Sequence, residues 1–123
     1  MADTTEKETP KLLINVEFSD GLETLIKDEV LKKREGRSCA QIKLEETYGG
    51  SPATIRHLAE YIRDNCIKSK PELFYDKDGV RPGILVLINN DDWELFEEDG
   101  IDKHDYKLEN NADVVFISTL HGG

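Results

Sequence analysis

Ser51-Pro52-Ala53-Thr54-Ile55-Arg56-His57-Leu58-Ala59-Glu60-Tyr61-Ile62-Arg63-Asp64-Asn65-Cys66 is the stretch on which the fold turns, because it is the one long segment in helical rhythm. Ile55, Leu58, Ala59, Ile62 and Cys66 recur at spacings of three and four and so line up as one apolar stripe. Ser51 followed by Pro52 reads as a helix start, a capping side chain and then a proline where its missing N–H costs nothing. A helix is therefore predicted over residues 52–65. Its outer face carries Arg56, His57, Glu60, Arg63 and Asp64, with Arg56 and Glu60 spaced as an i,i+4 ion pair worth roughly 0.2–0.5 kcal/mol. His57 is expected in solvent on that face. Cys66 lies on the stripe as a packed, inert thiol, since a nucleophilic cysteine needs exposure and a cationic neighbourhood; Cys39 fits either reading.

Strand patterns flank this helix on both sides. Residues 12–18 alternate, with Ile14, Val16 and Phe18 on one face and Asn15 and Glu17 on the other, as in a half-buried strand. Ser19-Asp20-Gly21 supplies a turn, and Leu22, Leu25 and Ile26 then fall at the spacing of a short helical turn. Lys32-Lys33-Arg34 with Arg37 forms the basic cluster of the chain, a pattern shared with nucleic-acid patches and nuclear addresses. Asp28, Glu29 and Glu35 dilute it, and a charged loop is expected there. Ala40, Ile42 and Leu44 alternate with Gln41, Lys43 and Glu45 in a second strand, which Gly49-Gly50 breaks. Beyond the helix, Asp76-Lys77-Asp78-Gly79 is a turn. Ile84-Leu85-Val86-Leu87-Ile88 is a continuous apolar run, expected of a strand covered on both faces or deeply set. Trp93 and Leu95 flank Glu94, and Tyr106 and Leu108 flank Lys107, as two short edge strands. Residues 114–117 make the last strand.

Strand, strand, one helix, strand, short strand and final strand is an α+β order. A sandwich has no place for the helix, and repeated βαβ units need more helices. The order fits a β-grasp (ubiquitin-like) fold, a mixed sheet crossed by one main helix with the first and last strands side by side.

Composition narrows what such a domain does. The 123 residues suffice for one core, and 26 acidic against 16 basic residues give a formal net charge of −10, which opposes capture of nucleic acid or of an anionic membrane. Ten acidic residues between Asp91 and Asp113 face only Lys103 and Lys107, which makes either a solvated rim or a docking surface for a basic partner. Two cysteines without a C-x-x-C spacing, no signal peptide and no run of roughly 20 apolar residues point to the cytoplasm. The three histidines have no metal-ligand spacing, and the turn at Asp76 lacks the glycine and glutamate of a calcium loop. No phosphate loop or nucleophile–base pair suggests an enzyme. Residues 1–10 are expected as a disordered leader, 11–119 as the domain and 120–123 as a flexible reactive tail.

That tail, Leu120-His121-Gly122-Gly123, ends on two residues without a Cβ, so it can thread a narrow channel and deliver a carboxylate; extended, it reaches about 13 Å. With Arg81-Pro82-Gly83-Ile84, Leu87-Ile88-Asn89, Asp92-Trp93-Glu94-Leu95, Tyr106-Lys107-Leu108-Glu109 and Ser118-Thr119 ahead of it, the chain resembles the ubiquitin-related modifier family of eukaryotes. The leader and the basic segment from Lys32 to Arg37 depart from the compact family pattern. The resemblance implies a monomeric sulfur carrier with no resident cofactor. An activating enzyme of the ubiquitin type, using ATP and Mg, adenylates Gly123, and a persulfide on its rhodanese domain converts it to a thiocarboxylate. A separate tRNA thiolase complex then passes the sulfur to the wobble uridine of tRNA, so the carrier need not bind nucleic acid. By the same resemblance Gly123 is conjugated to lysines of target proteins, peroxiredoxins among them. Gly122, His121 and Leu120 serve recognition of the tail, with a proton relay as the other reading of His121. A ubiquitin-like interaction module whose tail is never activated is the alternative.

Overall fold

In the computed structural model, which describes residues 10–100 and 102–118 without the side chains of Glu98 and Asp99, the first alternating segment is strand β1 (Lys11–Ser19). The predicted helical turn follows as a 3-10 turn over Leu22–Leu25. The basic segment, expected as a loop, instead forms strand β2 (Lys32–Arg34), which turns back into β3 (Arg37–Glu45). Glu35 at φ 56° and Gly36 at φ 81° explain the difference, because a two-residue turn with both φ values positive matches the twist of a hairpin. Alternation in the sequence could not show this, since all three residues of β2 are exposed.

Strands β4 (Thr47–Tyr48) and β5 (Ser51–Pro52) pair around Gly49 and Gly50, at φ 59° and 86°. This corrects the predicted helix start: the glycine turn folds Ser51-Pro52 back onto β4, and helix α1 spans Ile55–Asn65 with Thr54 as its N-cap. His57 leaves solvent for the same reason. Its Nδ1 accepts from the Thr54 N–H at 3.0 Å, and its ring stacks on Tyr48 with centroids 4.0 Å apart. Arg56 and Glu60 do not pair as the spacing suggested. Arg56 donates to the Asp78 carbonyl at 2.8 Å and reaches Asp102 and Asp105, while Glu60 accepts from the Tyr75 hydroxyl at 3.2 Å. Ile55, Leu58 and Ile62 are fully buried, each contributing on the order of 1.5–3 kcal/mol, so the stripe rather than surface charge fixes the helix.

A 3-10 turn over Pro71–Leu73 leads to the hairpin of β6 (Tyr75–Asp76) and β7 (Gly79–Val80), then to β8 (Ile84–Ile88) and β9 (Asp91–Asp92). The expected edge strand at Trp93 is a 3-10 turn over Trp93–Asp99. The Asp92 carboxylate accepts from the Glu94 N–H at 2.9 Å and so starts a turn where alternation suggested extension. Trp93 is thereby buried, whereas Leu95 is 53% exposed. Residues 106–108 are extended but make a single bridge, Thr54 to Lys107, rather than a strand. They follow a 3-10 turn over Lys103–Asp105 and precede β10 (Asp113–Ser118).

The main sheet runs β2-β3-β1-β10-β8-β9, with β1 and β10 parallel at its centre and the other neighbours antiparallel. Helix α1 covers one face. There Phe18 stacks on Phe116 at 5.9 Å, and Phe74 meets Phe116 edge-on at 5.2 Å.

Candidate functional site

The predicted reactive residues, Leu120, His121, Gly122 and Gly123, lie outside the described residues. What the fold places is the point from which they leave. Strand β10 is gripped on both sides, by β1 in parallel and by β8 in antiparallel register, up to the pair Ser118 with Ile84. Gly83, at φ 101°, carries the backbone into β8 beside that point, in a conformation that disfavours a side chain. The preceding turn is pinned by the Arg81 N–H donating to the Phe74 carbonyl at 2.8 Å.

Because α1 covers one side only, the alternate residues of each strand face outward on an open side. The register lines them up in rows. Lys32, Cys39, Glu17, Val115, Leu87 and Asp92 form one row across all six strands, from the basic edge β2 to the acidic edge β9. The next row toward the chain end holds Ser19, Ile117 and Leu85. Leu85, Leu87, Val115 and Ile117 thus form a half-buried apolar patch on two neighbouring strands, next to the exit of the tail. Of the two expectations for the run at Ile84–Ile88, covered on both faces or deeply set, the first is not met: its burial alternates, with Leu85 and Leu87 half-buried on the open side. The patch was not found from the sequence. A signal existed, since two strands without a polar face in a domain with one helix leave apolar residues that the helix cannot cover.

The acidic region is divided in its work. Asp92 and Asp102 cap 3-10 turns, the latter accepting from the His104 N–H at 2.8 Å, and Glu94 pairs with Lys103 at 2.7 Å. The Asp102 carboxyl is held below the usual carboxylate range, first by the His104 backbone N–H and against partial desolvation, with the His104 ring and Arg56 adding to the backbone effect. Asp91, on the outermost strand, is exposed toward solvent. Both cysteines are free thiols; Cys66 is buried, and burial pushes its thiol up, with Lys27 opposing, while Cys39 is half-buried on the open face. Among the described residues no three His, Cys, Asp or Glu side chains converge on a metal-sized site, and no helix is long and apolar enough to cross a membrane.

A mixed sheet with parallel first and last strands, one helix across it and a chain end leaving beside an open apolar patch defines a ubiquitin-like β-grasp protein. A family model described as Urm1 (Ubiquitin related modifier) matches residues 13–123, and the chain belongs to that family: it is a ubiquitin-like modifier, not an enzyme. It is 46% identical over 112 residues to ubiquitin-related modifier 1 of Homo sapiens, covering 91% of this chain and 96% of that one. The homolog of Drosophila simulans is 45% identical over 115 residues, with 94% and 98% covered. The solution structure of Urm1 from Trypanosoma brucei is similar with a TM-score of 0.65 at 30% identity, over 94% of this chain and 100% of that one.

Proposed function

We propose that this modifier is a sulfur carrier for the 2-thiolation of wobble uridine in tRNA and is also conjugated to lysines of target proteins. The observation that carries the reading is the pinning of β10 between β1 and β8 beside an uncovered apolar patch. A carrier needs a chain end that its own fold does not consume, and a second surface by which an enzyme holds it while that end is in the active site. An α-carboxyl group ordinarily has a pKa of roughly 3.3–3.7, so a terminal carboxylate is ionised and a poor electrophile at neutral pH. Adenylation by an ATP- and Mg-using activating enzyme overcomes this. The outer sulfur of a persulfide on the rhodanese domain then displaces AMP to form an acyl disulfide, and attack of a thiol on the inner sulfur releases the thiocarboxylate and leaves a disulfide on the donor side.

Leu85, Leu87, Val115 and Ile117 are the grip of that enzyme, and Gly122, His121 and Leu120 are the residues it reads in its channel. The thiolase complex binds the tRNA, which suits a carrier of net charge −10. Peroxiredoxins are among the conjugation targets, and the carrier works as a cytoplasmic monomer. Intact-mass measurement of the protein isolated from cells tests the reading: a fraction gains the mass difference of one sulfur for one oxygen. A carboxylate alone, in cells that thiolate their tRNA, would make the protein an interaction module instead.

A further inference from the structure

Strand β2 ends the main sheet, and its three residues, Lys32, Lys33 and Arg34, are all exposed. Because Arg34 and Arg37 face each other across the two-residue turn, antiparallel alternation directs the Lys33 N–H and C=O to the open side of the edge. The side chains alternate as well. Lys33 Nζ donates to Ser38 Oγ at 3.0 Å on the core side, while Lys32 and Arg34 share the open face with Cys39 and Arg37. Arg37 has carboxylate neighbours, Glu35 at 3.3 Å and Glu17 at 3.7 Å, but among the described residues Lys32, Lys33 and Arg34 enter no ion pair. In a chain of net charge −10 this edge is a local excess of positive charge with backbone groups to spare.

We propose that β2 is a docking edge for an extended acidic segment of a partner protein, which adds to the sheet as a further strand. Cations two residues apart on one strand stand roughly 6.6 Å from each other, the same spacing as alternate acidic side chains on an added strand. Only another polypeptide pairs with the outward N–H and C=O as a strand does, which favours an acidic protein segment over a nucleic acid. The same cations repel basic edges and make apolar ones costly to dock, so β2 is selective rather than aggregation-prone. Its position gives the docking a consequence. Phe18 pairs with both Ser38 and Phe116, which puts the Glu35-Gly36 turn at the end of the sheet where β10 releases the tail. Three strand spacings of about 4.8 Å separate β2 from β10, and the added strand lies one spacing further out, so a captured partner is held about 19 Å from the exit. The edge serves in this way whether the tail carries sulfur or forms conjugates.

The test is a titration of the isotope-labelled full chain, followed by NMR, with a synthetic peptide of alternating valine and glutamate. A valine–lysine peptide and a short single-stranded RNA are the comparisons. The acidic peptide is expected to shift the amides of residues 31–39 and to slow exchange of the Lys33 amide. Binding should weaken at least tenfold between about 0.1 M and 1 M salt, where the Debye length falls from about 10 Å to about 3 Å. It should vanish in Lys32→Glu/Arg34→Glu, whose unchanged signals elsewhere in the sheet would show that it folds. No response of these amides, or an equal response to both peptides, would overturn the proposal. So would RNA shifting the same amides where the acidic peptide does not, which would make the edge a polyanion site.

Discussion

Single side chains set two of the local structures that matter most. Asp102 caps its 3-10 turn, reaches the His104 ring and pairs with Arg56, so its carboxylate form is favoured in the folded protein. The folded pKa lies below the unfolded value of 3.8, and the stability that it contributes is therefore present above that pH and lost as pH falls through the folded pKa. With its side chain 49% exposed the effect is screened, about 1 kcal/mol or less. Asp102→Asn should lower stability at neutral pH by that much, with the gap to the parent closing below about pH 4 in urea titrations. Gly79 is constrained by space rather than by φ: a Cβ there would stand 2.3 Å from His104 Nε2, which accepts from the Val80 N–H at 3.1 Å. Gly79→Ala should cost about 1–3 kcal/mol, and the cost should shrink when His104→Ala is already present, a coupling that a double-mutant cycle measures. In the function proposed above, the activating enzyme reads His121 by shape and hydrogen bonding. His121→Asn should therefore weaken apparent affinity for the activating enzyme and leave single-turnover thiolation at saturation unchanged between about pH 5.5 and 8, whereas loss of a near-neutral transition would show a relay.

At the scale of elements, the grip proposed for the open face can be tested apart from folding. Leu85→Ser with Leu87→Ser changes residues that the helix does not cover, so the circular dichroism and the pairing of β8 with β10 should persist. Adenylation should need at least about tenfold more of this variant, a loss near 1.4 kcal/mol. Unchanged adenylation would place the enzyme's grip elsewhere. The elements themselves were readable wherever burial imposed a period: β1, β3 and α1 each bury one face, and β8 and β10 were visible as apolar runs. The reading failed where turns outranked propensity. Gly49 and Gly50 took Ser51-Pro52 into a hairpin, Glu35 and Gly36 made a strand of three exposed cations, and the Asp92 cap converted Trp93-Glu94-Leu95 into a 3-10 turn. Positive φ and side-chain caps are local chemistry without periodicity, and a hydrophobic pattern does not register them. The Gly-Gly tail was plain in the sequence, while the patch beside it emerged only once the strand order was known.

Across the whole molecule, charge is arranged along the sheet. The basic edge β2 and the acidic edge β9 lie at opposite sides, with β1 and β10 between them and the tail leaving from the centre. Neutralising Asp91 and Asp92 should slow association with a basic face of the activating enzyme more than it speeds dissociation, and the difference should fade in high salt; stopped-flow binding at two ionic strengths measures it. The central claim is that this fold exists to present Gly123 for activation. Its most direct measurement is intact mass after incubation with the activating enzyme, ATP, Mg and a sulfur donor, for the full chain and for a chain lacking Gly123. The full chain should exchange one oxygen for sulfur, and the shortened chain, equally folded by circular dichroism, should remain unchanged. Thiolation of both chains alike, or of the full chain not at all, would contradict it.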